Sequence, residues 1–360
     1  LLEQEVEALT AASLSLWRFA QKRGAGAPKL RVYNPNQDEH GWNSTHTVVE
    51  IVNDDMPFIV DSVVASLNRQ DLIVHLLIHP VIRVSRDKDG NLADVLERAA
   101  KQGADESVIH VEVNQRAGQA ALDAIRDNLL KVLDEVRAAV EDWEPMQARM
   151  EEVLKNLDRN PPPTPADERA EDRAFLDWMC DHNFTFLGAR DYTLEKKSGK
   201  EYLRIVPDSG LGLLRNVTAE SSTRHDAPLT PAEAMKAHVK SLLIITKAAA
   251  RSTVHRAVYM DYIGVRQFDA KGEVTGERRF VGLFTSSAYS HIPREIPLLR
   301  RKVQQVLERT GFAPNSHNAK AILHILETYP RDELFQIGVG ELYDTAMGVL
   351  HLEERQRLRL

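Results

Sequence analysis

Asn53-Asp54-Asp55-Met56-Pro57-Phe58-Ile59-Val60-Asp61-Ser62 joins the apolar run His46–Val52 to a helical pattern that ends near Gln70. Val49 and Ile51 alternate at the period of a half-buried strand, whereas Val60, Val63, Val64 and Leu67 recur at helical spacing. The stretch is therefore expected to be a strand, a tight acidic turn and a helix. Asn53, Asp54 and Asp55 are suited to cap the first unpaired N–H groups of that helix. Pro57 suits its first turn, where a missing N–H costs nothing. A helix amino terminus also favours an anionic group, so a capped helix start and a ligand-binding turn are both open readings.

Outward from this turn, the even positions Leu72, Val74, Leu76 and Ile78 of Leu72–Val84 are apolar, while the odd ones include His75 and His79. In Ser107–Asn114, Ile109, Val111 and Val113 alternate with His110 and Glu112. Both segments read as strands with one dry face. Ala117–Val140 is a long helix with Leu122, Ile125, Leu129, Val132, Val136 and Val140 on one side. Strand, helix, strand, strand, helix is the order of an ACT domain, a ferredoxin-like sandwich with its helices on one sheet face. Such a sandwich needs a fourth strand after the second helix, and Trp143–Leu157 reads as helix instead. Leu30-Arg-Val-Tyr33, a partner chain or a later segment is expected to complete the sheet.

Before the turn, Leu1–Gln21 is helical by pattern, anchored by Val6, Leu9, Leu14 and Trp17, and Lys22–Pro28 is a linker. Far beyond it, Asn160-Pro-Pro-Pro-Thr-Pro-Ala166 cannot continue a helix and marks a boundary. A helix over Asp167–His182 follows, then strands over Phe184–Leu194 and Tyr202–Val206. After them come an irregular Asp208–Pro228, a short helix after Thr230-Pro231, and strands over Leu242–Lys247, Val258–Phe268 and Arg278–Ser287. Two strands, a helical middle and three strands is the order of PAS-type sensory domains. Ile296–Arg309, Asn318–Thr328 and Arg331–Leu350 complete the chain as helices, with Gly311 placed to end one of them. The expected fold is α+β: an amino-terminal helix and linker at 1–29, an ACT-like domain at 30–158 and a Pro-rich linker at 159–166. A PAS-like domain at 167–290 and a helical segment at 291–360 follow.

The 43% hydrophobic and 28% charged residues describe an ordinary soluble chain, long enough at 360 residues for two or three cores. A net charge of −7 argues against a nucleic-acid partner, and the run Arg300-Arg301-Lys302 reads as the solvated face of a helix. No apolar run reaches the roughly 20 residues of a membrane span, and the single Cys180 excludes an internal disulfide. These features are those of a cytoplasmic protein. The chain lacks an initiating Met and stops at Gln356-Arg-Leu-Arg-Leu360 without a capping signal, as expected of a piece of something longer.

Candidate sites are few. Gly210-Leu-Gly212 and Gly338-Val-Gly340 lack the third glycine of a dinucleotide fingerprint and read as turns, so no cofactor is expected in this chain. His75, His110, Glu50 and Glu112 could share a sheet face, where imidazole and carboxylate would suit zinc. A polar face packed on a neighbouring subunit is the alternative, and no metal is predicted. Arg251-Ser252-Thr253-Val254-His255-Arg256 is a second candidate anion site, with two guanidiniums, an imidazole and two hydroxyls. A loop whose arginines pair with Asp261 or with neighbouring acidic residues is its structural alternative.

The stretch NDDMPFIVDSV at 53–63, followed by LNRQDLIVHLLIHPVIRVSRD at 67–87, resembles the amino-terminal regulatory region of the large NAD-specific glutamate dehydrogenases of bacteria. RSTVHRAVYMDYIGV at 251–265, RRFVGLFTSSAYS at 278–290 and HILETYPRDELFQI at 324–337 resemble the same region in the same order. The resemblance runs from about residue 45 to the end. It implies a parent enzyme that deaminates L-glutamate to 2-oxoglutarate with NAD, its nicotinamide site and catalytic lysine lying in a domain not present here. For this chain it implies no catalytic residue and contact with downstream domains of the same protein. It further implies a homo-oligomer and an amino-acid effector held by Asn53, Asp54, Asp55, Met56, Pro57, Asp61 and Ser62. The first loop of an ACT domain is a frequent amino-acid site. An assembly module that binds no small molecule is the rival reading.

Overall fold

The computed structural model describes residues 6–216 and 227–357, which fall into two compact units. The first contains the described residues up to Val140 and the segment Arg251–Val258; the second contains Glu141–Ala250 and the residues from Tyr259 onward.

In the first unit the elements are α1 (Val6–Ala20), β1 (Lys29–Tyr33), the short α2 (Gln37–His40), β2 (His46–Asp54) and α3 (Ile59–Asn68). Then come β3 (Val74–Ile78), β4 (Val81–Arg86), β5 (Leu92–Leu96), β6 (Ala104–Asn114) and α4 (Gln119–Glu141). The antiparallel sheet runs β1-β2-β6-β4-β5, with β3 also on β6. The missing fourth strand is β1, which lies against β2 with Leu30 opposite Ile51 and Val32 opposite Val49. Of the three sources open to the sequence, the preceding segment Leu30–Tyr33 therefore supplies it. Val49, Ile51, Ile109, Val111 and Val113 point to α3 and α4, where they pack on Ile59, Val63, Leu67, Leu129 and Leu133.

Two expectations for this sheet need correction. Leu72–Val84 is not one strand, because Pro80 has no N–H for a ladder and the chain breaks there into β3 and β4. β6 is long enough to pair with both, β3 through 110–113 and β4 through 104–107. The pairing also shifts between Val74 and Leu76, so the simple parity of the segment fails at His75. Nor do β2 and β6 have only one dry face. Val52 and Val108 pack under Ala20, Leu16 and Phe19 of α1, while Val48 lies with Tyr33 and Trp42. Both faces of the two central strands are buried, and the polar side chains among them must find partners there.

The second unit contains α5 (Trp143–Arg159), α6 (Ala166–Trp178), a π-helical turn at Met179–Asn183, β7 (Phe184–Lys197), β8 (Lys200–Ile205) and β9 (Leu211–Gly212). It continues with α7 (Pro231–Ala237), β10 (Leu243–Arg251), β11 (Tyr259–Phe268), β12 (Val274–Phe284) and α8 (Ser286–Ser290). The helices α9 (Leu299–Thr310), α10 (His317–Thr328), α11 (Arg331–Gln336) and α12 (Val339–Arg357) follow. The sheet order is β10-β11-β12-β7-β8, with β9 on β7. Met146, Met150, Val153 and Leu154 of α5 bury against Phe175, Phe186, Phe280 and Phe284. The division thus falls at Glu141, before α5, and not in the Pro-rich tract. Apolar contact decides this: α5 buries its methionines in the second core, and Asn160–Ala166 only turns the chain from α5 into α6.

Thr230 caps α7 in a reciprocal box with Glu233, as Thr230-Pro231 suggested. Part of the irregular stretch Asp208–Pro228 lies outside the described residues. Among α9 to α12, Leu299, Val303, Ile322, Leu326, Leu334, Leu342 and Leu350 form a separate core. The helix expected over Arg331–Leu350 is broken between Gln336 and Val339. Lys302 closes that break by donating to the carbonyls of Leu334 at 2.7 Å, Phe335 at 3.2 Å and Ile337 at 2.7 Å.

Candidate functional site

The turn after β2 does not cap α3 with its acidic side chains. The residue before α3 is Phe58, in left-handed backbone at φ 70°, with no side-chain hydrogen bond to the helix. The carboxylates turn elsewhere. Asp54 accepts from Arg23 at 2.5 Å and Arg137 at 2.8 Å, and Asn53 Oδ1 accepts from Arg137 at 3.1 Å. Asp55 accepts from Ser107 Oγ at 2.6 Å. Opposite Asp54 in register, the buried Glu106 takes Arg23 at 2.8 Å and both Arg86 nitrogens at 2.7 and 2.8 Å. Burial works to raise the Asp54 and Glu106 carboxyls, but the surrounding guanidiniums prevail and hold both below their ordinary values. Charge-assisted bonds of this kind are stronger than a helix cap, which explains where the acidic residues go.

Gly90 makes this network reachable for Arg23. It sits at φ 81°, where a Cβ would collide with the Arg23 carbonyl, and it accepts from Arg23 N at 2.9 Å.

The two candidate stretches meet. Arg251–Val258 belongs to the first unit, where it runs along α3. Ser62 Oγ donates to Phe58 O at 2.6 Å and accepts from His255 N at 2.9 Å. His255 Nδ1 lies 3.0 Å from Asp61 Oδ2, and its ring packs 5.0 Å from that of Phe58. At the other end of α3, Arg69 donates to Ser252 O at 3.1 Å. Ser252 is spent on its own loop through Val254. Asp261, offered by the sequence as a partner for the loop arginines, is in the second unit and accepts from Lys247 at 2.7 Å. Met56 is half-buried against the α3 core and Pro57 is exposed. Asp61, with its side chain 61% exposed, remains open to an additional ligand.

The metal candidates do gather on the α1 side of the sheet. Glu50 and His110 are register partners, with His110 Nδ1 3.2 Å from Glu50 and Nε2 3.6 Å from Glu112. Arg31 donates to Glu50 at 2.5 Å, His46 lies 3.1 Å from Glu112, and His75 packs 4.6 Å from the His46 ring. Burial alone would lower the His110 imidazole, but Glu112 and Glu50 outweigh it and raise it to about 9. The His110 ring thus lies between the two carboxylates. Among the described residues no group of three His, Cys, Asp or Glu is placed to hold an ion.

Sequence reasoning missed Arg23, Arg86 and Arg137, which set the state of Asp54. Arg23 lay in a presumed linker, and nothing in its spacing linked it to a strand far along the chain.

Two family models match: glutamate dehydrogenase, ACT1 domain, over residues 1–129, and glutamate dehydrogenase, helical motif 1, over residues 296–355. The NAD-specific glutamate dehydrogenase of Halomonas elongata is 41% identical over 364 residues, covering 100% of this chain and 22% of that protein. That of Pseudomonas aeruginosa is 38% identical over 363 residues, with the same 100% and 22% coverage. The Mycobacterium tuberculosis protein is 27% identical over 346 residues, 95% of this chain and 20% of its own. The chain thus spans about a fifth of the length of these relatives. The first match covers α1, the sheet and part of α4, and the second covers the separate core of α9 to α12. With the sandwich and the helical core both matched, this chain belongs to the NAD-specific glutamate dehydrogenase family.

Proposed function

We propose that this chain is a regulatory and assembly region of an NAD-specific glutamate dehydrogenase, and that the start of α3 takes an amino-acid effector. The parent reaction joins L-glutamate, NAD and water to give 2-oxoglutarate, ammonium and NADH; this chain contributes no catalytic group to it. The observation that carries the effector reading is the meeting of Asp61, Ser62 and Phe58 with His255. The effector's ammonium binds Asp61 beside the His255 ring, and its carboxylate lies toward the positive end of α3. Asp54 and Asp55 are already engaged by Arg23, Arg137 and Ser107, so they shape the turn and do not compete for the ligand. The sheet order of the second unit, with its first and last long strands as central neighbours, supports the PAS-like reading of that unit.

The test is a thermal-shift screen of the chain against the L-amino acids. A ligand at 100 times its Kd adds about 2.7 kcal/mol of apparent stability. The expected result is one or a few amino acids that raise the Tm, with the rise lost in Asp61→Asn while the unliganded Tm stays put. A rise that survives Asp61→Asn would move the site elsewhere.

Assembly through a strand edge is the second reading. β5 is an edge strand with Val95 46% exposed, the kind of edge that pairs with another chain unless protected. Light scattering should then show a homo-oligomer that Val95→Lys dissociates.

A further inference from the structure

The helix α1 covers only part of the sheet beneath it. Leu16, Phe19 and Ala20 pack on Val52 and Val108, and Ala11 and Ala12 lie with Tyr33 and Val48. Leu76 and Ile78 of β3 belong to neither cluster. With Ile82 they floor a groove of about 780 Å3 beside α1, and Leu9, Ser13 and Trp17 on the flank of α1 form its wall. The apolar flank continues out of the groove, with Val6 72% and Trp17 45% exposed. An apolar floor beside an exposed apolar helix flank marks an interaction surface.

The flank also identifies the partner. Leu9 and Trp17 each stand four residues from Ser13, and Val6 and Ala20 each stand seven, so the five share one face of the helix and repeat about its middle. None of the five is charged. Two copies of α1 crossing antiparallel at Ser13 set Leu9 against the partner's Trp17 and Val6 against the partner's Ala20. The small Ser13 side chain at the crossing lets the helix axes approach to about 8 Å. A two-fold contact needs a surface that is complementary to itself, which this repeat supplies. A contact with a different protein does not require it.

We propose that this face joins two copies of the chain, α1 against α1 across a two-fold axis at Ser13, with each copy's Trp17 over the groove of the other. This rests on the assembly reading and gives it a surface other than the β5 edge. One helix flank and a short floor make a small contact, so the dimer is weak, with a Kd in the micromolar range.

Sedimentation velocity of the 360-residue chain, from low micromolar to several hundred micromolar, tests this. Monomer and dimer in exchange are expected. Ser13 is exposed in the single chain, so Ser13→Glu and Ser13→Lys should each keep the Tm. Each should raise the dimer Kd at least about tenfold, because like charges then face each other across the axis. Mixing the two variants should restore a dimer with one copy of each, which a variant that merely misfolds cannot do. Val95→Lys, which removes the β5 contact, should leave this dimer in place. A chain that stays monomeric throughout overturns the proposal, and so does a dimer that Ser13→Glu leaves intact. Failure of the mixture to recover overturns it as well, since the two Ser13 side chains would then not meet. A dimer that only Val95→Lys dissociates keeps assembly through the strand edge and removes α1 from it.

Discussion

His110 ties a single proton to the stability of the first unit. Its imidazole is raised from 6.5 to about 9 by Glu112 and Glu50 against the effect of burial. A group whose folded value is raised stabilises fully below its unfolded value, and that contribution is lost as pH climbs through the folded one. Unfolding free energy is therefore expected to fall between pH 6.5 and about 9, by roughly 3 kcal/mol, measured by urea melts across that range. In His110→Gln the slope should flatten; an unchanged slope would assign the titration to another group. Arg23 offers a second test at this scale. It is 5% exposed and holds both Asp54 and Glu106, so Arg23→Met leaves buried charge uncompensated and should cost about 3 kcal/mol, or a Tm drop of roughly 10 °C. Arg126→Met, which removes an exposed pair with Asp123 and Asp127, should change the Tm by about 2 °C at most. Equal effects from the two would contradict the importance given to the buried network. Residues of this kind were the least legible in the sequence. The alternation of Glu50 and Glu112 placed them on one face, but only the register pairing Glu50 with His110 and Asp54 with Glu106 shows which charges meet.

At the level of elements, periodicity sufficed where one apolar stripe met the sheet, as in α4. It failed where geometry interrupted the period. The shift at His75 moves Leu76 and Ile78 to the α1 side while Val74 and Leu77 face α3 and α4, and no alternation rule anticipates a bulge. The helix α5 was correctly expected, yet assigned to the wrong core, because its apolar stripe does not say which neighbour it covers. That assignment is testable. Met150→Ala should destabilise by about 2–5 kcal/mol through the cavity it leaves. Amide exchange should quicken in α6 and β7, whose Phe175 and Phe186 share its core, while β2 and β6 keep their protection. Faster exchange in β2 and β6 instead would return α5 to the first unit.

For the whole molecule, the order of elements was the legible part. The ferredoxin-like order and the later helices could be read from pattern, and the family from the wording of five separate stretches. What could not be read was the way distant segments combine. β1 closes the sheet from the amino-terminal side, and Arg251–Val258 leaves the strands beside it in sequence to lie along α3. Both effects come from long-range packing, which local spacing does not encode.

The proposed effector site depends on that second combination, since it needs Asp61 and His255 in one place. Hydrogen exchange of the chain with and without the amino acid that raises its Tm tests this most directly. Slower exchange in both 58–62 and 252–256, and in Asp61→Asn no change in either, is the result predicted here. Protection confined to one of the two segments, or appearing only in other parts of the chain, would contradict the site.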